Sequence, residues 1–101
     1  MDIIITGKQG EGKTTQALAL TEGLDQVTTI TAPVTDRQKV VRQLHEARAK
    51  AVVFDDGAVH DLATLSAAIW AAKEYRDQTG LAVTAVYCQQ GEAINIIKKP
   101  V

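Results

Sequence analysis

The chain has 101 residues, 46% of them hydrophobic and 23% charged, with a formal net charge of −1. That composition fits one small globular domain over residues 1–101 and is neither disordered nor membrane-like. The near-neutral charge supplies no global field toward nucleic acid, the single cysteine, Cys88, cannot close an internal disulfide, and no apolar run approaches the ~20 residues of a membrane span.

Met1 and Asp2 lead straight into Ile3, Ile4 and Ile5 without a basic region. No secretory leader and no membrane association are expected, and a reducing, cytoplasmic setting is the default. Ile3 to Thr6 is the predicted first strand, and residues 7–14 form a glycine-rich loop. From about Lys13 to Leu24, Ala17, Leu20 and Leu24 share a helical face, with Gly23 near the end. Val27 to Ala32 is a second strand, and its threonines at 28, 29 and 31 suit a sheet edge better than a sheet centre.

Asp36 is a predicted N-cap for a helix to about Lys50, with Val40, Leu44 and Ala47 on one face. Ala51 to Phe54 is a continuous apolar run, as expected of a strand covered on both faces, and Asp55-Asp56-Gly57 ends it in a turn. Asp61 opens a third helix to about Thr79, with Leu62, Leu65, Ile69 and Ala72 as its core face and Gly80 as its C-cap. Leu81 to Cys88 is a fourth strand, broken by Gln89-Gln90-Gly91, and Ala93 to Lys98 a short last one. Such alternation predicts an α/β fold: a three-layer α/β/α sandwich around a parallel sheet of four to five strands. Ligands of such sheets bind at the carboxyl ends of the strands. The glycine loop, Asp55-Asp56 and Gln89 all fall there.

Residues 7–14 read Gly-Lys-Gln-Gly-Glu-Gly-Lys-Thr between a strand and a helix. Phosphate oxygens need several donors converging at once. Gly7, Gly10 and Gly12 let backbone amides line up around an anion, and the next helix adds its unpaired N–H groups and positive dipole end. In that pattern Lys13 reaches the β- and γ-phosphates and Thr14 places its hydroxyl on Mg²⁺. Residues 3–15 resemble the Walker A region of the P-loop NTPase superfamily. The resemblance implies a P-loop fold, a phosphate cradle at Gly7, Lys8, Gln9, Gly10, Glu11, Gly12, Lys13, Thr14 and Thr15, and ATP with Mg²⁺ as ligands. Lys8 stands where the deviant Walker A loops of the partitioning and nitrogenase-iron-protein group carry a signature lysine, although Gln9 departs from their Lys-Gly-Gly.

Val52 to Asp56 resembles a Walker B strand, apolar residues ending in acid. The resemblance implies Asp55 as an Mg²⁺ ligand through water and Asp56 as the residue orienting the attacking water, one methylene shorter than the usual glutamate. A plain strand-ending turn is the alternative for both. In the ATPase branch, which includes helicases and packaging motors, a polar residue ending the strand between the two Walker strands senses the γ-phosphate. Gln89 is the candidate and Gln90 an equal one; this requires the fourth strand to lie between the first and third.

The implied function is an ATP-binding protein, a slow Mg²⁺-dependent ATPase completed by self-association or a protein partner, with Lys13, Asp56 and Gln89 in catalytic roles. The alternatives are a nucleotide-binding regulatory module without turnover and a small nucleotide kinase. Gly12 to Gln16 is similar to the loop of thymidylate kinases, but no arginine-bearing lid follows it. No lysine is followed two residues later by aspartate, the guanine-reading spacing, so ATP is expected over GTP.

Residues 36–50 carry Arg37, Lys39, Arg42, Arg48 and Lys50 against Asp36 and Glu46, a local net charge of +3. A solvated helix face explains such a run; an arginine finger or a contact to nucleic acid phosphate is the functional alternative. Trp70 falls beside the third helix's core stripe, His45 and His60 lack metal-ligand spacing, and Cys88 reads as a small buried hydrophobe.

Overall fold

The computed structural model describes residues 1–8, 10, 12–91 and 95–100. Its elements are β1 (Asp2–Gly7), α1 (Lys13–Leu20), β2 (Val27–Ile30), α2 (Arg37–Ala47), β3 (Ala51–Phe54), α3 (Leu62–Thr79), β4 (Thr84–Gln90) and β5 (Asn95–Lys99). The five strands form one sheet in the order β2-β3-β4-β1-β5.

β1, β2, β3 and β4 run parallel, but β5 pairs antiparallel with β1, Ile4 opposite Ile97 and Ile5 opposite Ile96. The sheet is therefore mixed, which corrects the expectation of an all-parallel one. The reason is chain length. Four residues, 91–94, separate β4 from β5, whereas a parallel strand needs a crossover of a dozen or more. The polar β2 lies at a sheet edge, and β4 lies between β1 and β3, as the sequence reading required.

The helices divide between the two faces. α2 and α3 bury Val40, Val41, Leu44, Ala68, Ala71, Ala72 and Tyr75 against Val52, Phe54, Ala85 and Tyr87. α1 covers the other face, with Ala17 packed among Ile3, Ile5, Val53, Val86 and Cys88. Val52 and Phe54 thus face one way and Val53 the other, so a strand sealed on both sides must be apolar throughout. The Phe54 and Tyr87 rings stack at 5.2 Å between centroids.

Local signals account for most helix ends. Asp36 accepts from the Lys39 backbone N–H at 3.2 Å. Asp61 and Thr64 form a reciprocal capping box. Its two hydrogen bonds from Thr64, backbone first and then side chain, hold the Asp61 carboxyl below the usual carboxylate range. Gly80 closes α3 at φ 71°, a left-handed position that suits glycine.

α1 stops at Leu20, short of Leu24, with Thr21 as its C-cap donating its hydroxyl to the Ala17 carbonyl at 3.1 Å. Leu24 is consequently exposed. Half of the predicted core face of α3 holds: Ala72 is buried and Leu65 packs against the core, but Leu62 is 77% exposed and Ile69 37%, and Ala68, Ala71 and Tyr75 are buried in their place. Small side chains let α3 approach the sheet and α2 closely, and Tyr75 ties the layers by donating to the Ala49 carbonyl at 2.7 Å. Ala47 likewise faces solvent. Trp70 packs on the rim of the core, with the Arg37 guanidinium 4.0 Å from its ring centroid. No helix among the described residues is long and apolar enough to cross a membrane.

Candidate functional site

The carboxyl ends of β1, β3 and β4 meet the start of α1 at one rim of the sheet. β1 ends in Gly7, which lies beside Gln90 of β4. The chain then turns through Gly10 and Gly12, at φ 86° and 84°. A residue with a Cβ would meet a cost of roughly 1–2 kcal/mol in that left-handed region, so these two glycines permit the turn. Gln9 and Glu11 lie outside the described residues.

Gly12 is the N-cap of α1, and being glycine it offers no side-chain acceptor to the helix's first N–H groups. Among the described residues no side chain caps the start of α1, and its positive dipole end stabilises an anion there. Thr14 and Thr15 are exposed on this first turn, and Lys8 and Gly10 are exposed in the loop.

Lys13 is the centre of the rim. Although cationic, it is only 4% exposed. Its Nζ donates to the Gly7 carbonyl at 2.8 Å and the Lys8 carbonyl at 3.1 Å. It also lies 3.4 Å from Oδ2 of Asp56, whose side chain is 34% exposed. A buried ammonium requires such acceptors, because desolvation without them costs several kcal/mol. Each of these acceptors is neutral or part-solvated, so a phosphate oxygen could replace them.

The neighbouring aspartates have different duties. Asp55 points one carboxylate oxygen at the Ala58 N–H, 3.0 Å away, and so shapes the turn after β3. The turn is tight at Gly57, where a Cβ would lie 3.2 Å from the Thr31 carbonyl and 3.3 Å from the Asp55 carboxylate. Asp56 reaches across the rim, accepting from Gln90 Nε2 at 3.3 Å as well as pairing with Lys13.

The two glutamines also diverge. β4 runs through Gln90 rather than ending at Cys88, so both residues lie in the strand and point opposite ways. Gln89 donates to the Val59 carbonyl at 3.2 Å, bracing the segment between β3 and α3. Gln90 is the one on Asp56. Beneath them, Cys88 Sγ lies 4.0 Å from the Lys13 carbonyl. Its thiol is pushed up to about 11, first by burial and then by the charges of Asp56 and Asp55, against the lowering effect of Lys13.

Gly91 is a site residue that sequence reasoning treated only as a strand breaker. Its N–H donates to the Gly7 carbonyl at 3.0 Å, the same oxygen that holds Lys13. A Cβ at Gly91 would fall 3.0 Å from Thr6 Cβ. The signal was the residue type; the reason for it is a tertiary contact.

Two of the four arginines are engaged elsewhere. Arg37 lies over Trp70, and Arg76 pairs with Asp2 at the opposite end of the sheet. Arg42 and Arg48 are exposed on or next to α2.

Mg²⁺ is commonly held by one or two carboxylates plus phosphates and waters. Thr14 and Asp55 or Asp56 suit that pattern. Among the described residues no group of three or more His, Cys, Asp or Glu side chains forms a ready-made metal cage. Comparison of the chain with protein-family models, with curated proteins and with solved structures finds no match.

Proposed function

We propose that the chain is a P-loop protein that binds ATP with Mg²⁺ at the Gly7–Thr14 loop and hydrolyses it slowly, the site being completed by a second copy or a protein partner. The observation that carries this reading is Lys13. It is a buried cation held by two loop carbonyls and one part-exposed carboxylate, below a helix start with no side-chain cap. The β2-β3-β4-β1 strand order supports the ATPase branch over the kinase branch.

In this reading Lys13 leaves the Gly7 and Lys8 carbonyls for the β- and γ-phosphate oxygens, where a charge-assisted bond is stronger. The first N–H groups of α1 and the loop amides bind the remaining oxygens. Thr14 and Asp55 would hold Mg²⁺, which supplies charge neutralisation on the phosphates. Asp56, released from Lys13, orients the attacking water. Gln90, already on Asp56, keeps that carboxylate aimed at the rim; Gln89 serves the adjacent turn. Stabilisation of charge on the transferred phosphoryl is the main catalytic contribution of such sites.

A second reading is a nucleotide-binding regulatory module without turnover. The double engagement of Asp56 Oδ2 by Lys13 and Gln90 favours it, because that oxygen already accepts from the protein's own donors. Phosphate release by the parent and by Asp56→Asn, both with Mg²⁺-ATP, separates the two. Slow release by the parent that is lost in Asp56→Asn, with ATP binding retained, supports the ATPase. Binding without release by the parent supports the module. No ATP binding by the parent removes both.

A further inference from the structure

We infer that the free edge of β2, with the crevice beside it, is a docking site for an extended acidic peptide segment of a protein partner. Among the described residues β2 is paired only through β3. The Ile30 carbonyl accepts from the Asp55 N–H and so faces β3. Backbone groups alternate sides along a strand, so those of Val27 and Thr29 face away from the sheet. Thr29 is exposed. A row of outward N–H and C=O groups is complementary to another strand and not to a phosphodiester backbone, which offers acceptors alone.

A cavity of about 180 Å³ opens beside this edge, between the end of β2 and the first two turns of α2. A cavity of ~150 Å³ holds a benzene-sized group, so this one takes a single side chain of the added strand. Thr31, Thr35, Lys39 and Gln43 supply donors around it, over a floor of Ile30 and Val40. Asp36 also lines it, but its Oδ1 is already committed to the Lys39 N–H as the cap of α2. Lys39 is the cation that lines it, and it belongs to a segment, residues 36–50, that carries five cations against two acids, of which Lys39, Arg42, Arg48 and Lys50 are exposed. Edge pairing, a one-residue pocket with Lys39 in its wall and the net positive charge of residues 36–50 together select an extended segment with a glutamate in the pocket and acidic neighbours.

β2 lies three strands from β1. At about 4.8 Å per strand this is roughly 14 Å, so the docking edge and the glycine loop can be filled together. The inference does not depend on nucleotide binding.

The test is titration of the full chain with the capped peptide Thr-Val-Glu-Val-Glu-Val-Thr and its twin carrying lysine for both glutamates, read by amide NMR and by Trp70 fluorescence. Shift changes at Val27–Ile30, Thr31, Lys39 and Gln43, with at least tenfold preference for the acidic peptide, are expected. Thr29→Pro removes an outward donor without touching the ladder to β3, and it should abolish the response. Lys39→Glu should weaken it at least tenfold and serves if Thr29→Pro does not fold. No shifts at millimolar peptide, equal binding of both peptides, or shifts at these residues with oligothymidylate and not with peptide would overturn the inference.

Discussion

At opposite ends of β1 and β4 the molecule buries two cations, and it holds them differently. At the amino end, Arg76 donates to the Val83 carbonyl at 2.9 Å, to the Met1 carbonyl at 3.3 Å and to Asp2 at 2.6 Å. These bonds tie α3 to the starts of β1 and β4. The arginine and its aspartate are 9% and 25% exposed, and the Met1 amino group closes the cluster on the Val83 carbonyl at 3.4 Å. Burial, and then the nearby Arg76 charge, lower the pKa of that amine. At the carboxyl end, Lys13 has two carbonyls of its own loop and one carboxylate at 3.4 Å. A planar guanidinium held by three acceptors is a staple. A single ammonium on a flexible stem, facing an uncapped helix start, is a contact that a ligand can take over.

The largest expected effect of that contrast is on stability at the amino end. Arg76→Met leaves Asp2 without its partner and the Val83 and Met1 carbonyls without a donor. Chemical denaturation should show a loss of about 2–3 kcal/mol, with ATP affinity unchanged. A drop in affinity at full stability would break the comparison.

Two glycines sharpen it. Gly80→Ala and Gly12→Ala each force a left-handed position on alanine, at φ 71° and 84°, and each should cost about 1–2 kcal/mol in denaturation. Gly12→Ala alone should also weaken ATP binding by more than tenfold, because it shifts the first amides of α1. Equal ATP binding by the two variants would remove the glycine loop from the site.

A smaller effect is expected from pH. Cys88 titrates near 11 in the folded chain against an ordinary value of 9.0. A raised folded pKa gives stability that is complete below pH 9 and lost as pH rises toward 11, since the unfolded thiol ionises first. Cys88→Ala should flatten that alkaline slope. Thiolate absorbance should show a lower apparent pKa when Asp56 is changed to Asn.

The smallest expected effect is at Tyr87. Among the described residues its hydroxyl is the buried side-chain polar atom without a partner, and burial pushes its pKa up. Tyr87→Phe should be neutral or stabilising by under about 1 kcal/mol.

Much of the fold was legible because its signals are local. Asp36, Asp61 and Gly80 cap the helices assigned to them, the polar β2 sits at an edge, and Ala51–Phe54 has the bounds expected of a strand buried on both faces. What escaped depends on distant partners. Leu62 and Ile69 fit a 3.6-residue apolar face, but the closest packing falls on Ala68, Ala71 and Ala72. β/α alternation predicts parallel strands, and the strand signal of β5 itself carries no direction. Lys13, Asp55 and Asp56 were marked by position, but only the pairing across the rim separates Asp56, on Lys13 and Gln90, from Asp55, in its turn. Gln89 and Gln90 are likewise indistinguishable until the strand's pleat assigns each a side.

The most direct test of the site is equilibrium binding of Mg²⁺-ATP to the parent chain and to Lys13→Ala, measured calorimetrically, with thermal unfolding of both as control. The parent should bind, and the variant should lose about 3 kcal/mol of binding, roughly a hundredfold in Kd, while its unfolding temperature moves by only a few degrees. A parent that does not bind Mg²⁺-ATP, or a variant that binds it equally well, would contradict the assignment of the Gly7–Thr14 loop as a nucleotide site.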